Sequence, residues 1–135
     1  LQLDDARVQS LSPSAVAYHA LVRVPFGTVL LEELAFRGAL FGALARTADW
    51  ARAAAASSVV FGLWHVRPTL GLLDANDIAA DPVARAGLVA VAVAATTAGG
   101  MFFCVLRVMS DSTVAPIVTH TATNSLGILA AAITR

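Results

Sequence analysis

Apolar and polar positions divide this chain into long uncharged runs separated by short polar breaks. Residues 87–106 form the clearest run: no charge over a length that crosses a bilayer core of ~30 Å as a helix. Asp81-Pro82 stands ahead of it, a capping aspartate followed by a proline suited to the first helical position. Residues 114–134 are a second uncharged span, with Asp111 or Ser112 as its cap and Pro116 in its first turn. Residues 53–66 predict a third helix, stopped by Pro68, which reaches spanning length only if it begins near Asp49. The N-terminal third is less regular. Residues 14–24 are apolar but carry His19 and Arg23, Pro25 marks a kink or a fresh start, and residues 25–45 read as a helix. Residues 67–85 form the one sizeable loop, with Asp74, Asn76, Asp77, Asp81 and Pro82. Its acids lack EF-hand spacing and read as a solvated loop. The pattern predicts an all-α, multi-pass transmembrane bundle with about four to five helices in a single domain, 1–135.

Composition supports the bilayer. The chain is 58% hydrophobic and 13% charged, with mean hydropathy +0.75, whereas soluble domains carry about 25% charged residues. The net charge is zero, so nothing points to nucleic acid. Cys104 is the single cysteine. It excludes an internal disulfide or a cysteine metal cluster and reads as packing. All nine basic residues are arginine, which reads as coding bias. They fall on both sides of the helices, so the positive-inside rule gives no orientation. The chain starts at Leu1, and its first dozen residues lack a signal-peptide pattern. The expectation is a core excised from a longer membrane protein with further helices upstream. Gly38 and Gly42 are four apart, a spacing that lets a neighbouring helix approach closely.

Within the apolar runs a few polar residues stand out. Glu32 and Glu33, the only glutamates, are followed by Arg37 among leucines, alanines and phenylalanines. One charged side chain at a membrane-helix centre costs about 2.5–3.5 kcal/mol, and three cost roughly 8–10 kcal/mol before pairing. Glu33 and Arg37 are four apart and can pair on one helix face. Glu32 is rotated by about 100° from Glu33, so it is free to face other groups and to serve as a general base. Phe61 and His65 are four apart on the next helix, and His120 and Asn124 on the last. In hydrocarbon such faces turn inward and meet. If Glu32, His65, His120 and Asn124 converge, they supply a water-activating base and donors for an oxyanion, the parts of amide-bond hydrolysis.

Each residue also has a structural reading. A lone membrane histidine is often an interhelical hydrogen bond worth about 1 kcal/mol. Phe61 and Trp64, taken singly, read as packing or interfacial anchors. His19, near Tyr18 and Arg23, reads as interfacial or structural, and Asp4, Asp5 and Arg7 as a solvated terminus. Other proteolytic signatures are missing from the sequence: no His-Glu-x-x-His, no Gly-x-Ser-x-Gly, and no aspartate inside the clear spans.

Taken together and in order, Glu32-Glu33-x-x-x-Arg37, Phe61-x-x-x-His65 and His120-x-x-x-Asn124 resemble the three motifs of the CAAX-protease and bacteriocin-processing (ABI) family of intramembrane proteases, which includes the Ras-converting CAAX endopeptidase. The strings at residues 32–38 and 115–120 also look typical, and the resemblance runs from about residue 25 to 130. It implies an all-helical intramembrane protease catalytic core. Glu32 would activate the water with help from His65, and His120 and Asn124 would bind the oxyanion. Glu33 and Arg37 would form a supporting ion pair, and Phe61 would pack the site. The family has been described both as metalloproteases and as metal-independent glutamate proteases. Glu32, His65 and His120 would be the ligands if Zn were bound; no cofactor is the favoured reading. The implied partners are the lipid bilayer and a membrane-bound protein or peptide substrate. The implied location is an integral membrane position, the plasma membrane if the source is bacterial.

Two other classes compete with this reading. One is a non-catalytic membrane module, such as a bacteriocin self-immunity or scaffold protein. The other is a proton or ion carrier using Glu32 and the histidines as a relay.

Overall fold

The computed structural model describes residues 6–133, so Asp4, Asp5 and Arg135 lie outside the described residues. Every regular element in that range is helical. A short α1, Ala6–Gln9, leads into α2, which runs from Pro13 to Leu44 without interruption. Next come α3 (Trp50–Trp64), α4 (Val66–Ala75), α5 (Pro82–Ser110) and α6 (Val114–Ile133).

The helix starts follow from capping side chains. Ser12 Oγ accepts from the Ala15 N–H ahead of Pro13, Asp49 from those of Ala51 and Arg52, and Asp81 from that of Ala84. Ser112, not Asp111, caps α6 by accepting from the Val114 N–H. Asp111 instead closes α5 in the left-handed region, at φ 48°.

Pro25 neither breaks nor restarts the first long helix. The backbone takes wider π turns at His19–Arg23 and Pro25–Val29, and this spacing accommodates the ring. In a π turn the Ala20 carbonyl would accept from the nitrogen of residue 25, and proline has no N–H there. Ser125 Oγ of α6 supplies the missing donor, 2.7 Å from Ala20 O. A third π segment, Leu34–Leu40, behaves similarly: Ser57 Oγ of α3 donates to Phe36 O at 2.8 Å. Both bonds tie α2 to a neighbouring helix where its own ladder is loosest.

Two further expectations need correcting. The stretch expected as a loop holds α4, and Pro68 does not stop α3. It sits in the first turn of α4, where its missing N–H costs nothing. The Gly38–Gly42 pair is not a helix contact either. A side chain at Gly42 would meet nothing within 4 Å, and one at Gly38 only the Glu33 carbonyl at 3.9 Å. The close approach lies between α3 and α5, the most extensive helix pair. A methyl at Gly62 would collide with Thr97 Oγ1 and come within 2.8 Å of Val93 O, and one at Gly100 would lie 3.1 Å from Ser58 Cα. Phe41, Ala53, Ala54 and Cys104 form the apolar core beside this seam.

The polarity of the molecule is inverted. Leu21, Phe26, Leu31, Leu63, Val91, Phe102, Leu126 and many other large apolar residues are exposed, while Glu32, Glu33, Arg37, Ser57, Ser58 and His120 are buried. That distribution suits a lipid exterior. Helices α2 and α5 are long and apolar enough to cross a membrane by length and composition. Helix α6 has the length, but Thr119, His120, Thr121, Thr123, Asn124 and Ser125 interrupt its apolar run, so it is not among the two.

Candidate active site

Of the four polar positions singled out on three helices, Glu32 and Asn124 lie beside His120, and His65 shares a cleft with His120 and Asn124. Glu33 is fully buried and Arg37 is 1% exposed. Their pair closes one turn of α2, with Arg37 Nη1 3.0 Å from Glu33 Oε1. The same oxygen lies 2.7 Å from His120 Nδ1 on α6. Glu33 is therefore not handed to Arg37 alone. It holds the histidine as well, and so bonds across the helix interface. The Arg37 guanidinium lies over Phe61, 4.1 Å from the ring centroid, and 5.1 Å from that of Phe103, so aromatic faces as well as a carboxylate surround the buried cation.

His120 is held on three sides. Glu33 takes Nδ1, Phe103 stacks on the ring at 4.7 Å between centroids, and Asn124 Nδ2 lies 3.2 Å from Nε2. With the Nδ1 hydrogen directed at Glu33, the neutral ring presents Nε2 as its acceptor to the Asn124 amide. Glu32 approaches this edge of the imidazole: its Oε2 is 3.9 Å from Nε2. The two adjacent glutamates thus meet opposite nitrogens of one ring.

His65 lies at the corner where α3 ends and α4 begins, with φ −80° and ψ −4°. Its Nδ1 donates to Phe61 O at 2.8 Å, and its ring packs edge-on to Phe61 at 4.5 Å between centroids. His65 has no direct bond to Glu32. It shares with His120 and Asn124 the wall of a cleft of about 430 Å³, completed by Thr96, Gly99 and Phe103. Phe61 touches Arg37, His65 and His120 at once.

Two residues with a direct place here were not expected in it: Trp64 read as a packing or interfacial anchor, and Phe103 was not named. Trp64 donates its indole N–H to Glu32 Oε1 at 3.2 Å, and Phe103 supplies the face on which His120 stacks. The Trp64 contact had a signal in the sequence: an indole N–H in an apolar run needs an acceptor, and Trp64 is next to His65. Phe103 lies in an uncharged run without a polar neighbour and had no such signal. His19 stays apart, beside Arg23 at 3.4 Å and edge-on to Tyr18.

As for a metal, the second nitrogen of His120 is carboxylate-bound in the manner of many metal-ligating histidines. Yet among the described residues no three His, Cys, Asp or Glu side chains are grouped so that they could hold an ion.

A buried acid–arginine–histidine cluster thus lies inside an apolar helical shell. A family model described as type II CAAX prenyl endopeptidase Rce1-like matches residues 14–126, a stretch that holds all three motifs. The chain belongs to that family. The Rce1-like family is a protease family whose members act on membrane-associated substrates, and with its apolar helices this Rce1-like chain is a membrane protein. Searches among curated proteins and among solved structures return no match.

Proposed function

We propose that this protein is an integral-membrane endopeptidase that hydrolyses a peptide bond of a membrane-associated protein or peptide, using a glutamate-activated water. The observation that carries this reading is the approach of Glu32 Oε2 to His120 Nε2 at 3.9 Å. The gap is too long for a direct hydrogen bond, and both groups can contact one water held beside the line between them.

In the proposed reaction Glu32 takes a proton from water as the water oxygen attacks the scissile carbonyl carbon. The carbonyl oxygen becomes the oxyanion of a tetrahedral intermediate. The Asn124 amide, placed beside Nε2 of His120, donates to it, and Glu33 keeps His120 in place through Nδ1. Collapse breaks the C–N bond, and the leaving nitrogen takes the proton that Glu32 removed from the water, while His65 lines the cleft beside His120 and Asn124. Arg37 compensates the Glu33 charge, and Phe61 and Phe103 exclude bulk water.

The test uses the purified protein in proteoliposomes and an internally quenched, farnesylated peptide with a CAAX end. Wild type is expected to cleave it. Glu32→Gln and His120→Ala are expected to reduce the rate by about 10²–10⁴, the scale of acid–base and oxyanion groups. Absence of cleavage by wild type, or equal rates in all three proteins, overturns the proposal.

A further inference from the structure

The two oxygens of Glu32 have different surroundings. Oε1 accepts the Trp64 indole N–H at 3.2 Å. Oε2 is buried, has no hydrogen-bond partner, and lies on the His120 side. A glutamate side chain has three rotatable bonds, and an untethered carboxylate would sample orientations that turn this free oxygen away from the water it must deprotonate. The indole N–H is a donor only. It can hold a carboxylate oxygen without competing for the proton.

We infer that Trp64 is a positioning residue: its N–H fixes Oε1 of Glu32 and thereby aims Oε2 at His120 and at the attacking water. This rests on the reading of Glu32 as the base. The indole is itself braced. It packs edge-on against Phe36, 6.1 Å between centroids, and Phe36 packs on Phe61 at 5.1 Å. Phe61 is the residue whose carbonyl holds His65. A single corner, at the end of α3, therefore sets both the tether of Glu32 and the placement of His65. A residue serving packing alone would not need a donor, and Trp64 is 53% exposed, so little of its surface is committed to a core.

The experiment compares wild type, Glu32→Gln, Trp64→Phe and a protein in which Trp64 is replaced by β-(3-benzothienyl)alanine. This isostere keeps the indole shape and puts sulfur in place of N–H. The probe is the same farnesylated quenched peptide in proteoliposomes. Glu32→Gln is expected to lose turnover. Both Trp64 replacements are expected to lower kcat about tenfold with KM unchanged, the scale of a lost hydrogen bond to a charged group. If Trp64→Phe fails to fold, the isostere decides. Wild-type kcat in the isostere protein overturns the inference. So does a raised KM with kcat kept, which would put Trp64 against the substrate. Full activity in Glu32→Gln overturns the base and its positioning together, and that arm separates the two failures.

Discussion

Glu33 holds His120 through a 2.7 Å contact from Oε1 to Nδ1, across 87 positions of sequence. Because the same oxygen also pairs Arg37, removing its charge strands a buried guanidinium as well as releasing the imidazole. Glu33→Gln is expected to lower stability by about 3–5 kcal/mol, the cost of breaking a buried ion pair from one side. A double replacement, Glu33→Leu with Arg37→Met, is expected to recover most of that loss but no activity, since His120 still lacks its anchor. Thermal unfolding in detergent, paired with the cleavage rate, checks both halves.

Asn124 has a narrower effect. It is half-buried and bonds His120 Nε2 within its own helix, so Asn124→Ala removes a donor without opening a core. The expected outcome is a fall in kcat of about 10²–10³ with the unfolding temperature little changed. A large KM change at constant kcat would count against the oxyanion role.

Two of the three motifs were legible because each pairs polar residues at helical spacing inside an apolar run, where a solitary polar group is costly; the third sets His65 one helical turn after Phe61. Glu33–Arg37 and His120–Asn124 appear as those spacings predict. The sharing of Glu33 by α6 was not legible, because periodicity along one helix carries no information about which neighbour it faces. The same limit hid Phe103. Pro25 and Pro68 misled for a different reason. Local proline chemistry predicts a kink or a fresh start at Pro25 and a stop at Pro68, but the helix runs on past Pro25, where Ser125 supplies a donor from another helix, and Pro68 falls in a first turn where no donor is needed.

The α3–α5 seam gives a paired test on glycines. At Gly62 a methyl meets Thr97 and the Val93 carbonyl, whereas at Gly42 it meets nothing. Gly62→Ala is expected to destabilise by about 1–3 kcal/mol through overpacking. Gly42→Ala is expected to be neutral or to stabilise by up to about 1 kcal/mol through helix propensity. Unfolding of the two variants side by side reads the difference.

Ser125 is expected to matter through Pro25. Ser125→Ala leaves the Ala20 carbonyl without the donor that the proline cannot provide, at a cost of about 0.6–2 kcal/mol. In a Pro25→Ala background the backbone N–H returns, and the same serine replacement is expected to cost less. Equal costs in both backgrounds would show that the serine does not compensate for the proline.

At 32 residues α2 is about 48 Å long, against ~30 Å of hydrocarbon. It must lean or protrude, and Glu32 stands about 18 Å along it from the Leu44 end. Hydrolysis consumes one water per turnover, so at such a depth the solvent is a reactant that has to be delivered. The cleft wall carries Thr96 and Thr123, whose hydroxyl hydrogens are committed to carbonyls of their own helices at 2.7 and 2.9 Å. Their oxygens remain as acceptors on that wall. Burying the charges of Glu32 and Glu33 thus makes turnover a matter of hydration traffic as much as of acid–base chemistry.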